Sequence, residues 1–191
     1  MYEKRLFLPA KKVEILNLKA GERILLNGTL YTARDAAHKR MIEELEKGSF
    51  NLFPLDGAII YYCGPSPAPP GRVIGSAGPT TSYRMDPYVP ILLNHGVCGF
   101  IGKGKRSQKV REVLKEFGGV YFIATGGAGA LLSTKIVNSK VIAYEDLGPE
   151  AVYALQVVDF PVIVGIDPKG KDIYEIGPQN YRNQINQLNK S

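Results

Sequence analysis

Gly71–Asp86 reads GRVIGSAGPTTSYRMD. A glycine-rich run leads to two adjacent threonines, an arginine four residues after Thr80, and an acidic residue just before Pro87. Glycines let backbone approach a ligand closely and reach positive φ. Pro79 fixes φ at a plausible helix start, and Thr80 and Thr81 bring hydroxyls beside main-chain N–H groups. Unpaired N–H groups at a helix N-terminus attract anions. If Thr80–Arg84 is helical, the i,i+4 spacing puts Thr80 and Arg84 on one face. The stretch therefore reads in two ways. It is a pocket for a carboxylate or phosphate, or a connecting loop whose threonines cap a helix.

The flanks are those of an alternating α/β chain. DGAIIYYC (56–63) reads as a buried strand, and the proline-rich GPSPAPP (64–70) breaks regular structure behind it. Arg72–Ser76 is expected as a short strand. Asp86-Pro87 reads as an N-cap with proline at the first helical position, opening a helix that Gly96 ends. CGFIGKG (98–104) is a strand leading to a turn, and Ser107–Phe117 an amphipathic helix. Lys103 falls where a strand ends and a helix is about to begin, the usual place for ligand contacts in α/β folds. By position alone it reads as a surface lysine. GGVYFIATGGAGALL (118–132) is a strand and a glycine-rich turn, but its glycines lack the G-x-G-x-x-G spacing of a dinucleotide loop. Pro149–Leu155 is expected as a short helix, followed by a strand and a hairpin at Pro168–Lys171. Residues 177–191, rich in Asn and Gln, read as a loose polar tail.

Upstream, VEILNL (13–18) and RILLNGTLY (23–31) read as strands, with Asn27-Gly28 a tight turn or a bulge. Thr32–Gly48 is an amphipathic helix that Thr32 can cap, with Asp35 three residues on. Arg34 and His38 share a face of it. Arg34 lies in the first turn, where the helix dipole disfavours a cation, so an anionic partner nearby is worth considering. From spacing alone Arg34 reads as a solvated arginine and His38 as a surface or satisfied core histidine.

The chain has 191 residues, 45% hydrophobic and 22% charged, which suits one soluble domain spanning 1–191. No apolar run approaches the length of about 20 residues that crosses a bilayer. The N-terminus is not a secretory signal, and a cytoplasmic location is expected. Cys63 and Cys98 form neither a disulfide framework nor a metal-ligand pattern, and read as buried free thiols. The net charge of +6 is scattered, with no aromatic interleaving of a nucleic-acid surface. Small anionic substrates or an acidic protein partner account for it.

Four stretches taken together carry a resemblance: TARDAAHKR (32–40), GPTTSYRMD (78–86), GKGKRSQ (102–108) and LGPEAVYALQVVDFPVIVGIDPKGKD (147–172). They resemble the C-terminal, or β, portion of class I iron–sulfur hydro-lyases, fumarase and L-tartrate dehydratase, from about Val13 to Ile176. The resemblance implies a swivelling β/β/α domain, three layers with a mixed sheet and a partly closed β unit. It implies that this chain binds no cofactor itself and that a [4Fe–4S] cluster sits on a separate α subunit, in an α2β2 or similar assembly. The implied substrate is a small dicarboxylate. Thr80 matches the proposed catalytic base, Thr81 its neighbour in the pocket, and Arg34, Arg84 and Lys103 the carboxylate-binding positions. A threonine hydroxyl is a weak base unless cations favour its alkoxide, so Arg84 or Arg34 is expected close to Thr80. Fumarate and tartrate stay open as substrates. A non-catalytic carboxylate-binding or assembly module stands as the rival from another class.

Overall fold

The computed structural model describes residues 4–188. Its strands, in chain order, are β1 (Lys4–Phe7), β2 (Arg23–Thr32), β3 (Ile59–Tyr61), β4 (Gly99–Gly102), β5 (Val120–Ile123), β6 (Ile136–Ala143) and β7 (Val152–Ile166). Strands β2, β3, β4 and β5 lie side by side, all parallel. β7 runs antiparallel to β5 and, along its length, antiparallel to β2 as well. Five strands thus close on themselves, while β1 pairs with β2 and β6 with β7 at the margins. This is the expected mixed sheet with a partly closed β unit.

Period-two alternation sorts the side chains of the ring. Ile24, Leu26, Leu30, Ile59, Tyr61, Ile101, Phe122 and Phe160 join one buried cluster. Ile60, Phe100, Tyr121, Val152 and Ile166 face a second, completed by α2 (Asp35–Glu46), α3 (Val89–Asn94) and α4 (Gln108–Phe117). Those helices supply Ala37, Met41, Leu92, Val110 and Leu114, spaced by helical turns. Full burial of each such aliphatic or aromatic side chain contributes about 1.5–3 kcal/mol.

Several elements differ from expectation. VEILNL is not a strand: α1 (Lys12–Leu16) is a helix that buries Ile15 and leaves Val13 and Leu16 exposed. A short apolar run carries no decisive period, and here Ile15 and Leu18 share one face three residues apart. The sheet also starts earlier than Val13, because Leu6 of β1 is buried. Thr32 does not cap α2. It ends β2, where its hydroxyl donates to Ala151 O at 3.4 Å and accepts from Tyr153 N at 3.0 Å. Residues 72–76 are no strand, because Ser66 and Ser76 pair across the base of the proline-rich loop instead, at 3.0 Å. Asp86-Pro87 is not a helix start but lies inside a 3₁₀ segment, Ser82–Tyr88, that runs on into α3. Pro149–Leu155 is not a helix. Glu145–Glu150 is a 3₁₀ turn, and β7 then runs unbroken for 15 residues. The expected tail is helical as far as described, since α6 spans Ile173–Leu188; residues 189–191 lie outside the described part. Between β5 and β6, the glycine-rich turn enters the short helix α5 (Gly129–Ser133).

Asn27-Gly28 proves to be a bulge. The β2–β7 register shifts between Leu26 and Gly28, opposite Asp159 at φ 49°. Asn27 Oδ1 accepts from Asp159 N at 3.0 Å, replacing a lost ladder bond. Gly28 sits at φ 117°, and a Cβ there would lie 2.6 Å from Leu8 O, so only glycine fits. Among the described residues, no helix is long and apolar enough to cross a membrane.

His38 is wholly buried between the rings of Tyr88 and Tyr62. Burial pushes its pKa down to about 4, against a smaller opposing hydrogen bond to Arg34 O and the charge of Asp35. The unfolded chain takes up this proton below about pH 6.5, whereas the folded chain resists it down to about pH 4. Stability is therefore full above pH 6.5 and falls on acidification, by about 3 kcal/mol from this group alone. Denaturant titrations of wild type and His38→Phe between pH 7 and 4 check this, the variant showing the flatter dependence. Cys63 and Cys98 are buried thiols, each pushed up to about 12 by desolvation. Both should resist a thiol reagent in the native protein and react at the rate of unfolding, which stopped-flow labelling with and without urea measures.

Candidate functional site

Four parallel strands end on the same edge of the ring, and each is followed by a site residue or a site glycine. After β2 comes Arg34, after β3 Gly64, after β4 Lys103 and after β5 Gly126. The C-terminal edge of parallel strands is where α/β folds place ligands. Thr80 and Thr81 reach this edge from the central stretch. Thr80 N donates to Tyr62 O at 2.7 Å, and Pro79 bridges to Cys63. Lys103 N donates to Thr80 O at 3.3 Å, and Ser82 N to Lys103 O at 3.1 Å, forming a one-residue bridge between Thr81 and Lys103. Thr80 does not begin a helix. Thr81 is the N-cap of the 3₁₀ segment in extended conformation and makes no side-chain cap bond.

Within this frame the structure brings Arg84 to Thr80: Arg84 Nη2 donates to Thr80 Oγ1 at 3.0 Å. The same Nη2 lies 3.5 Å from Asp35 Oδ2 at the start of α2. Asp35 thus reaches across to the 3₁₀ segment as well as serving the N-terminus of its own helix. Arg34 is not a solvated arginine. Its Nη2 pairs with Glu150 Oε1 at 3.1 Å, while Glu150 Oε2 accepts from Ala36 N at 3.2 Å. One carboxylate therefore caps α2 and holds Arg34. Arg34 Nε is buried with no hydrogen-bond partner among the described residues. Gly64 makes room for this arginine, since a Cβ there would lie 3.0 Å from Arg34 Cδ and 2.8 Å from Pro149 O. Lys103 stretches over Gly126, where a Cβ would meet its Nζ at 4.0 Å. No carboxylate pairs with it among the described residues.

The arrangement offers three cations and a hydroxyl on an open edge, with two of the cations partly balanced by Asp35 and Glu150. Arg34 is 26% exposed and Arg84 38%, so both guanidinium groups remain within reach of a ligand. Forked guanidinium groups hold carboxylates in bidentate fashion. A separate groove of about 260 Å³ is lined by Ile24, Leu131, Leu132 and Val162 and takes in Thr125 and Ala128 from the glycine-rich turn, but none of the candidate site residues lines it.

Sequence reasoning missed Glu150 and Arg106. Glu150 meets Arg34 only through the fold, and no local pattern announces it. Arg106 lies in the GKGKRSQ stretch yet is entirely buried, its Nε donating to Asp86 Oδ1 at 2.7 Å. Nothing about a basic run signals a buried cation.

Comparison with known proteins gives the chain's family. The chain is 38% identical over 170 residues to fumarate hydratase 2 of Leishmania major. That match covers 87% of this chain but 30% of the relative. It is 36% identical over 171 residues to the anaerobic class I fumarate hydratase of Escherichia coli K12, covering 87% of this chain and 31% of that enzyme. The chain thus spans about a third of these relatives. It is also 36% identical over 183 residues to a Methanocaldococcus jannaschii protein provisionally named L(+)-tartrate dehydratase subunit beta, covering 93% of this chain and 94% of that protein. The family model described as Fumarase C-terminus matches residues 3–177, nearly everything the ring and its helices are built from, and the chain belongs to that family.

Proposed function

We propose that this chain is the β subunit of a two-subunit hydro-lyase that hydrates fumarate reversibly to L-malate. The observation that carries the reading is the hydrogen bond from Arg84 to Thr80 Oγ1, flanked by Arg34 and Lys103. The fumarate hydratases that match are about three times longer, and the matching protein of similar length bears the name of a β subunit. Both facts support a partner subunit that supplies the remainder of the active site.

In the malate-to-fumarate direction Thr80 Oγ1 takes a proton from C3. The C3–H electron pair becomes the second bond of the alkene, and the C2–O bond breaks to release water. As C3 loses its proton, charge builds on the adjacent carboxylate, and fixed cations stabilise it. Arg34, Arg84 and Lys103 supply three. Arg84, donating to Thr80 Oγ1, also lowers the cost of the alkoxide that a threonine base requires. The proton for the departing hydroxyl comes from the partner.

The [4Fe–4S] cluster is assigned to that partner. Thr80, Thr81, Arg34, Arg84 and Lys103 are not iron ligands. Cys63 and Cys98 are held as buried thiols, the opposite of the thiolates a cluster takes. The residues of this chain do not fit the cluster, and no step here runs through it.

Anaerobic fumarate hydration is expected only when this chain and its partner are mixed. Activity of the partner alone, unchanged by mixing, would favour the non-catalytic module. In the mixture, relative turnover of malate and tartrate assigns the substrate. Thr80→Ala should abolish turnover while the assembly persists on gel filtration, and a near-normal rate rejects the base. Arg84→Leu should lower kcat by about 10²–10³-fold, the loss typical of one charge-stabilising donor.

A further inference from the structure

Behind the carboxylate edge lies a buried polar group that contains none of the candidate ligands. Its centre is Tyr121, in the middle of β5. The Tyr121 hydroxyl donates to Gly104 O at 3.0 Å, which leaves Ser82 Oγ to donate to the phenol oxygen, also at 3.0 Å. Gly104 follows Lys103, and Ser82 follows Thr81. One hydroxyl thus ties together the two segments that carry the candidate site. Beside it run the two backbone bonds of the Thr81–Lys103 bridge, at 3.1 and 3.3 Å.

Arg106 holds the same two segments at a second point. Its side chain is fully buried. Nε donates to Asp86 Oδ1 at 2.7 Å, and the other carboxylate oxygen accepts from Ser107 N at 2.9 Å. Asp86 therefore joins the 3₁₀ segment to the start of α4. The guanidinium also lies over the Tyr121 ring, 4.9 Å from its centroid, and over that of Tyr62 at 5.3 Å. Arg84 stands between the two anchors, Ser82 on one side and Asp86 on the other. The fit has no slack at Gly102, where a Cβ would fall 1.9 Å from Ser82 Oγ.

We propose that Tyr121 and Arg106 are positioning residues that fix the distance between Lys103 and the Thr80–Arg84 stretch. Lys103 reaches the edge from β4 and Arg84 from the 3₁₀ segment. A ligand bridging them needs that spacing preset, because orientation is lost steeply with small displacements. The clamp stands on its own geometry; its effect on turnover rests on the hydro-lyase reading.

The test uses Tyr121→Phe, which removes one hydroxyl and keeps the ring, and Arg106→Lys, which keeps the charge and loses the fork. Amide hydrogen exchange of Ser82 and Lys103 is measured in the full chain, and kcat and KM for fumarate in the complex with the partner subunit. In each variant the two amides should exchange about 10-fold faster while those of β3 and β4 hold their wild-type rates. kcat should fall by about 10–100-fold with a smaller change in KM, and the double variant should lose less than the product of the two singles. A residue that only supports the fold would lower the melting temperature and leave kcat of the folded complex unchanged. Wild-type exchange at Ser82 and Lys103, or wild-type kcat, in Tyr121→Phe overturns the proposal. If the wild-type complex leaves fumarate untouched, the hydro-lyase reading fails and the exchange rates still decide the clamp.

Discussion

The double pairing of β7 is the constraint on which the rest of the structure depends. A single strand of 15 residues bonds to β2 over most of its length and to β5 at its end. Without it, β2–β5 would be an open parallel sheet with a bare edge on each side. Closure removes those edges and sets the twist of the four strands relative to one another. It also fixes where their C-terminal ends point, and Arg34, Gly64, Lys103 and Gly126 all follow those ends. The Asn27–Asp159 bulge and the glycine at 28 absorb the register shift, so β2 and β7 pair on both sides of it. The site is thus a consequence of ring closure, although no residue of β7 belongs to it.

What was legible in the sequence follows the reach of each interaction. Thr80 and Arg84 are four residues apart, and their contact survives although the segment winds as a 3₁₀ turn and begins later than expected. The glycine at the end of α2 is a local signal too, and it holds, Gly48 lying at φ 66° just past the Lys47 cap. The failures lie where tertiary pairing decides. VEILNL has the composition of a strand, but β2 already takes its place beside β1 and β7. Residues 152–155 look like a continuation of a helical turn, yet they find Tyr31 and Lys140 as strand partners. Asp86 before Pro87 has the composition of a cap, but its carboxylate is drawn to a buried arginine twenty residues on.

The same division applies to charge. A basic composition points to anions in general, but not to which cations are already spoken for. Arg40 with Asp146, Arg5 with Asp159 and Arg111 with Glu175 are surface pairs of small energetic consequence. Arg106 is different in kind, because a buried cation is tolerated only with its partner in place. Arg34 and Arg84 stand between these cases, half-exposed and each in contact with one carboxylate. Asp35 and Glu150 keep the two arginines from collapsing onto other groups, and they lower the repulsion between cations gathered on one edge.

This balance also shapes what the edge can accept. Arg34 uses Nη2 on Glu150 and leaves Nε buried without a hydrogen bond among the described residues. A buried donor left unsatisfied costs about 1–3 kcal/mol, while the 26% of the side chain that is exposed stays open to an anion. Lys103, with no carboxylate of its own among the described residues, offers a second point of attraction at the end of β4, two strands along the ring from Arg34. On the hydro-lyase reading proposed above, the two carboxylates of the substrate address these two points, one at each strand end.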